Sequence, residues 1–227
     1  MSTTPSSGWR AGLQVGASLG VGTLALAVSF GAFAVLEGWP PWLVVAMSVL
    51  VFSGSAQFAL VTSMSGGAGP ATGIGAATLI NLRFLPMAAA TAGSLRGSRL
   101  RRAVEGQAVV DGSYVSAQLS GGGVDREKLI AATLVQWPAW VGGTAIGAVF
   151  VPSTSFIRDV GLDLVFPCFF LLLLLDAVSG RRDHRLVAVL ALVIAGAACL
   201  AFPSGLALLS CGLAACLAGL RPPRTAG

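Results

Sequence analysis

Charge is what this chain has least of. Only 10% of its 227 residues are Asp, Glu, Lys or Arg, against roughly 25% in a soluble domain. With 55% hydrophobic residues and a mean hydropathy of +0.84, this excludes a soluble globular domain and leaves an integral membrane protein. Histidine is nearly absent as well. The single His184 sits in a basic loop, which argues against a Ser–His pair and against a His-based metal site. Cys168, Cys199, Cys211 and Cys216 all lie inside apolar runs and read as small buried hydrophobes, not disulfides or ligands. HExxH, GxGxxG and P-loop patterns are missing, so neither an enzyme nor a cofactor is expected, and ATP-driven transport would need a separate subunit. The short alternating segments of a membrane β-barrel are missing too.

What the chain does have is long uncharged runs, at 11–36, 38–82, 129–157 and 186–220. A helical span takes about 20 apolar residues, so the second and last runs can each hold two. Candidate segments fall at 14–36, 42–64, 70–93, 103–120, 129–151, 162–178 and 186–220, the last divided near Pro203. The fold class is therefore all-α, integral to the membrane, with six or seven transmembrane helices, some broken or re-entrant. An inverted repeat is compatible with it, since such symmetry is often weak in sequence. A polar tail at 1–10, one transport domain at 11–220 and a basic tail at 221–227 complete the organisation. The first run is too long for a signal-peptide core and is read as a retained span.

Net charge is +5, carried by Arg clustered in short loops: Arg96, Arg99, Arg101 and Arg102, then Arg181, Arg182 and Arg185, then Arg221 and Arg224. This is the positive-inside pattern. It points to anionic inner-leaflet lipid, not nucleic acid, and to a multi-pass protein of a bacterial cytoplasmic membrane with its C-terminus inside. The segment at 103–120 carries Glu105 and Asp111 and is short, so a half-span or surface helix is expected there. Segment lengths then favour seven spans with the N-terminus outside, whereas Arg10 favours six with it inside; length is given the greater weight. Gly12, Gly16 and Gly20, and again Gly143 and Gly147, recur every fourth residue, the spacing that lets membrane helices approach closely.

The stretch from Leu50 to Met87 holds polar residues where hydrocarbon should be: Ser53, Gly54, Ser55, Gln57, Asn81 and Arg83. Polar groups at that depth face a packed interior or a wet cavity. Ser53–Gln57 fits a helix break that exposes backbone groups to a zwitterion; interhelical packing by Gly and Ser fits equally. Arg83 at a span's centre costs about 2.5–3.5 kcal/mol on insertion scales, so a carboxylate is expected beside it, either Asp111 or a substrate's. Asp111, in an apolar context, is also a candidate for carrying a proton.

These residues resemble the AzlC-type branched-chain amino acid permease family. Phe52, Gly54, Gln57 and Phe58 match its first motif, Asn81, Leu82 and Arg83 its second, and Asp111 the Asp of its third. The family's His after Arg is Phe84 here and its Glu after Asp is Gly112, so two titratable groups are gone. The resemblance implies an exporter of leucine, isoleucine and valine that works with a small AzlD-type membrane subunit. The expected substrate site is then Ser53, Gly54, Ser55, Gln57, Asn81 and Arg83, with Asp111 for proton coupling. Two alternatives stay open: a carrier of another small solute, and a non-transporting membrane assembly subunit.

Overall fold

The structure, a computed structural model, describes residues 8–119, 123–150 and 182–202 and the single positions 159, 161, 168, 171 and 175. It is helical: α1 Gly8–Leu36, α2 Pro41–Leu50, α3 Gly54–Ser65, α4 Pro70–Asn81, α5 Phe84–Thr91, α6 Arg99–Gly106, α7 Asp111–Ala117, α8 Arg126–Val149 and α9 Arg182–Ala201. Among the described residues the only β-pairing is an isolated bridge, Gln118 to Val124. The expected span at 162–178, with Asp163 and Asp176, and the second half of 186–220 lie outside the described residues.

The described residues form two compact units, 8–54 with 81–150 and 55–80 with 182–202. In the first, α1 and α8 are each long and apolar enough to cross a membrane. At 1.5 Å per residue their 29 and 24 residues reach about 43 and 36 Å, more than the roughly 30 Å of hydrocarbon. Lipid provides no hydrophobic drive for two apolar helices to associate, so close van der Waals packing must do it, and the glycines supply the proximity. A Cβ on Gly12 would come within 2.6 Å of the Lys128 carbonyl oxygen, and one on Gly16 within 2.7 Å of that of Ala132. Further along, a Cβ on Gly31 would collide with the Thr144 carbonyl and one on Gly147 with that of Val28. The expected close packing is present, except that Gly20 meets Val135 at an ordinary 3.7 Å.

These contacts climb both helices together, so α1 and α8 are parallel. The start of α1 lies beside the start of α8, with Gly8 against the Asp125 carboxylate. Arg126, the first residue of α8, is paired with Glu105 of α6, whose carboxylate also accepts from the Arg96 backbone N–H at 3.2 Å and from Arg101 Nε at 3.1 Å. The N-terminal end of α1 and the basic loop at 96–102 therefore occupy one end of the helix pair. Of the two front-end readings, this placement matches the one with the N-terminus and the basic loop on the same side.

The helix α8 serves as a ruler for the rest of this unit. Ser48 of α2 bonds Thr144 at 2.9 Å, and Gly54 lies against the Trp140 ring. Gly112 of α7 lies against Gln136, and Met87 of α5 packs on the cluster around Leu129. So α2 descends from the far end to mid-depth and α5 continues to the near end, where Arg102 Nη2 donates to the Ala92 carbonyl at 2.8 Å. The expected segments at 42–64 and 70–93 are both broken: α2 ends at Val51–Ser53, and α4 and α5, together long and apolar enough for one span, are bent by 43° at Leu82–Arg83. Between the two breaks lies the segment formed by α3 and α4. That segment belongs to the second unit, where Gly73 of α4 lies against Met64 and Leu60 of α3. Gly67, at φ 84°, makes the turn between them, a left-handed conformation that favours glycine.

The segment at 103–120 does not cross. It leaves the near end as α6, breaks at Gln107–Val110, and returns through α7 to Asp125, whose N–H bonds the Ala117 carbonyl at 2.8 Å. A break at membrane depth must have its backbone groups satisfied. Here the Ala108 carbonyl accepts from Ser113 Oγ at 2.6 Å and from Thr133 Oγ1 at 3.0 Å. The half-span expected from length and charge is what the chain forms, with the surface helix α6 leading into it.

Candidate functional site

Three helix interruptions meet in the first unit, and polar side chains join them in series. The first, Val51–Ser53, separates α2 from α3; the second, Leu82–Arg83, separates α4 from α5; the third, Gln107–Val110, separates α6 from α7. Ser53 Oγ donates to Asn81 Oδ1 at 2.6 Å, joining the first to the second. Arg83 Nη2 donates to Asp111 Oδ2 at 2.7 Å, joining the second to the third.

Local sequence explains each position. Asn81 is the last residue of α4, and Arg83 lies just before α5. Pro86 falls in the first turn of α5, where its missing N–H has no helical partner to lose. Asp111 opens α7, where a carboxylate favours the positive end of the helix dipole.

The depth of this chain of contacts follows from α8. Gly112 is next to Gln136, whose Oε1 would lie 3.1 Å from a Cβ on Gly112. Gln136 is ten residues into α8, about 15 Å from its start. The Arg83–Asp111 pair is thus far from either end of the span.

Its chemistry is incomplete in one respect. The guanidinium uses Nη2 on Asp111, while Nε is buried without a hydrogen-bond partner among the described residues. Arg–carboxylate pairs are strongest when two parallel N–H···O bonds form, and an orphaned buried donor costs about 1–3 kcal/mol. The pair is held at one point where two are available. The Phe84 ring faces the guanidinium with its centroid 4.9 Å from Arg83 Cζ, a cation–π contact. The side chains of Arg83 and Asp111 are 31% and 49% exposed, so the pair is accessible from its surroundings.

For Gly54 the structure shows the close packing that was one of its two open readings. The break lies before it, and Gly54 is the first residue of α3. Its missing side chain admits Trp140, since a Cβ would come within 2.5 Å of ring atom Cη2. Trp140 in turn stacks on Phe30, with centroids 5.9 Å apart. Ser55 and Gln57 fall within α3 and belong to the second unit. Both are buried, and Ser55 Oγ has no hydrogen-bond partner among the described residues, as is also true of Ser63 Oγ. The first unit thus brings together Ser53, Gly54, Asn81, Arg83 and Asp111.

Gln136, Trp140 and Thr144 were not singled out as site residues from sequence, yet each meets one of the interrupted segments. The available signal was their spacing: i, i+4 and i+8 on one face of a helix, two of them polar inside an apolar run. Thr144 Oγ1 and Gln136 Nε2 also bond back to the carbonyls of Trp140 and Ala132, at 2.8 and 3.3 Å.

Comparison with known proteins finds relatives that are membrane proteins. The chain is 32% identical to an uncharacterized membrane protein of Archaeoglobus fulgidus over 96% of this chain and 95% of that one. It is 23% identical to an uncharacterized membrane protein of Helicobacter pylori, over 74% of this chain and 75% of the relative. It is also 23% identical to the branched-chain amino acid transport protein AzlC of Bacillus subtilis, over 72% of this chain and 65% of that protein. No solved structure matches it. The AzlC protein family profile matches residues 18–153, which include all three interruptions and both joining contacts, and the chain belongs to the AzlC family.

Proposed function

We propose that this protein is the carrier subunit of a secondary transporter that exports branched-chain or similar hydrophobic amino acids. The observation that carries the proposal is the Arg83–Asp111 pair. It lies at mid-depth, holds at one point, and leaves Nε of the guanidinium buried and unpaired. An amino acid's α-carboxylate has the geometry to take the guanidinium on two nitrogens and displace Asp111. Asp111, released from its cation by that exchange, is the candidate for proton coupling. Substrate binding and proton uptake are coupled through one exchange. Leu82 and Phe84 flank Arg83 and supply apolar surface for the substrate side chain. Ser53 and Asn81 hold the two breaks together beside it.

In this reading the protein spans the bacterial cytoplasmic membrane several times. The end bearing Gly8, Arg126 and the basic loop faces the cytoplasm by the positive-inside preference, and the basic C-terminal tail lies on the same side. A small AzlD-type membrane protein is its partner. The test is reconstitution in vesicles, with and without the co-encoded small subunit, measuring labelled leucine flux under an imposed proton gradient. Proton-dependent leucine flux is expected. Flux of another solute with none for leucine would leave the carrier and remove the substrate.

One observation favours a second reading, that of a membrane assembly subunit. Such a subunit would pair its buried polar groups with each other, and Ser53–Asn81 and Arg83–Asp111 are pairs of that kind. The unpaired Nε is what this reading leaves unexplained. Arg83→Ala separates the two: loss of flux with the protein still folded supports the carrier, and loss of assembly with unaltered flux supports the scaffold.

A further inference from the structure

The outward face of α6 has no part in the exchange described above. This eight-residue helix, RLRRAVEG, buries none of its residues. Two contacts fix its rotation. Glu105 is clamped by Arg126 and Arg101, and Arg102 reaches the Ala92 carbonyl. Those contacts turn the opposite face away from the protein. On that face Leu100 and Val104, one helical turn apart, are 77% and 66% exposed. Arg96 and Arg99 precede them, and neither has a carboxylate within ion-pair distance among the described residues, because Glu105 is engaged elsewhere. The helix lies at the level of Arg126, the first residue of a membrane-crossing helix.

Two apolar side chains beside unneutralised guanidiniums, at the edge of a span, match what the headgroup–acyl boundary of an anionic bilayer offers. We propose that α6 is a binding surface for anionic phospholipid, with Leu100 and Val104 set into the acyl boundary and Arg96 and Arg99 on headgroup phosphates. Charge complementarity selects the occupant. A zwitterionic lipid brings a cation with each phosphate, and a second protein would leave the apolar pair and the free guanidiniums needing a specific acidic complement.

The experiment uses the full-length protein in a neutral detergent, titrated with phosphatidylglycerol, phosphatidylcholine or inorganic phosphate while the melting temperature is followed. Phosphatidylglycerol is expected to raise it more than either of the others. The Arg96→Gln/Arg99→Gln variant and the Leu100→Asn/Val104→Asn variant are each expected to melt like wild type without lipid and to lose at least half of the phosphatidylglycerol shift. Subtracting variant from wild type removes the contribution of the other basic segments. An equal shift with phosphatidylcholine, an equal shift with inorganic phosphate, or an undiminished shift in both variants would each overturn the proposal. So would a lipid-independent change of sedimenting size in the Leu100→Asn/Val104→Asn variant, which would assign the face to another protein chain.

Discussion

Arg83 and Asp111 lie 28 residues apart in sequence and 2.7 Å apart in space, and their contact closes the second and third helix interruptions onto each other. If the substrate carboxylate replaces Asp111 there, the two residues fail differently. Arg83→Ala is expected to abolish leucine flux in vesicles. Asp111→Asn is expected to keep leucine exchange between the two sides but to lose acceleration by a proton gradient. Counterflow and gradient-driven uptake measured on the same preparation distinguish these outcomes. Wild-type gradient-driven flux in Asp111→Asn would remove this residue from coupling.

The α1–α8 contact is a matter of space. Leucine at Gly147 has no room, because a Cβ alone would collide with the Val28 carbonyl. Overpacking of a tight interface costs about 1–3 kcal/mol. Gly147→Leu should therefore lower the melting temperature of the detergent-solubilised protein. Gly142→Leu on the same helix, where nothing lies within 4 Å, should leave it unchanged. Equal effects at the two positions would show that the glycines act through helix propensity and not proximity.

Ser53 and Asn81 allow a direct measure of how strongly the first two interruptions are tied. Their hydrogen bond is 2.6 Å long, and a neutral intramolecular bond contributes about 0.5–1.5 kcal/mol net. A double-mutant cycle with Ser53→Ala and Asn81→Ala should return a coupling energy in that range. Strict additivity of the two would mean that the bond does not hold the breaks together.

Acid stability tests the cluster at the near end. Glu105 is held well below the ordinary carboxylate range, from 4.5 down to about 2, foremost by the hydrogen bonds from Arg126. A carboxyl depressed in the folded state contributes stability that is complete above its unfolded value and disappears as pH falls through its folded value. The stability difference between wild type and Glu105→Gln should thus be constant from neutral pH to about 5 and close as pH drops from 4.5 toward 2. Chemical unfolding across that window reads it. A gap that widens on acidification would contradict the pairing.

How much of this was legible in the sequence varies from one feature to the next. The glycines at 12, 16, 143 and 147 announced close packing by their spacing, because membrane helices approach only where side chains are small. Asp111 was legible as one of two carboxylates that Arg83 demands. Gly54 kept two readings open, because breaking a helix and admitting an indole ring leave the same mark on a sequence, a missing Cβ. The exact positions of the breaks at Val51–Ser53 and Leu82–Arg83 were not legible, because hydropathy measures how apolar a run is and not where its helix is interrupted.

Composition and charge alone determined that this is a membrane protein and that its spans are helices. Those conclusions rest on the transfer of each residue type out of water, which does not depend on neighbours. Tertiary structure alone decided that α1 and α8 run parallel, that Ser53 meets Asn81 across two helix breaks, and that Arg83 finds Asp111 while its buried Nε has no hydrogen-bond partner among the described residues. Direction, register and pairing are properties of contacts between distant segments, and no local pattern in the chain encodes which of several equally apolar segments will meet.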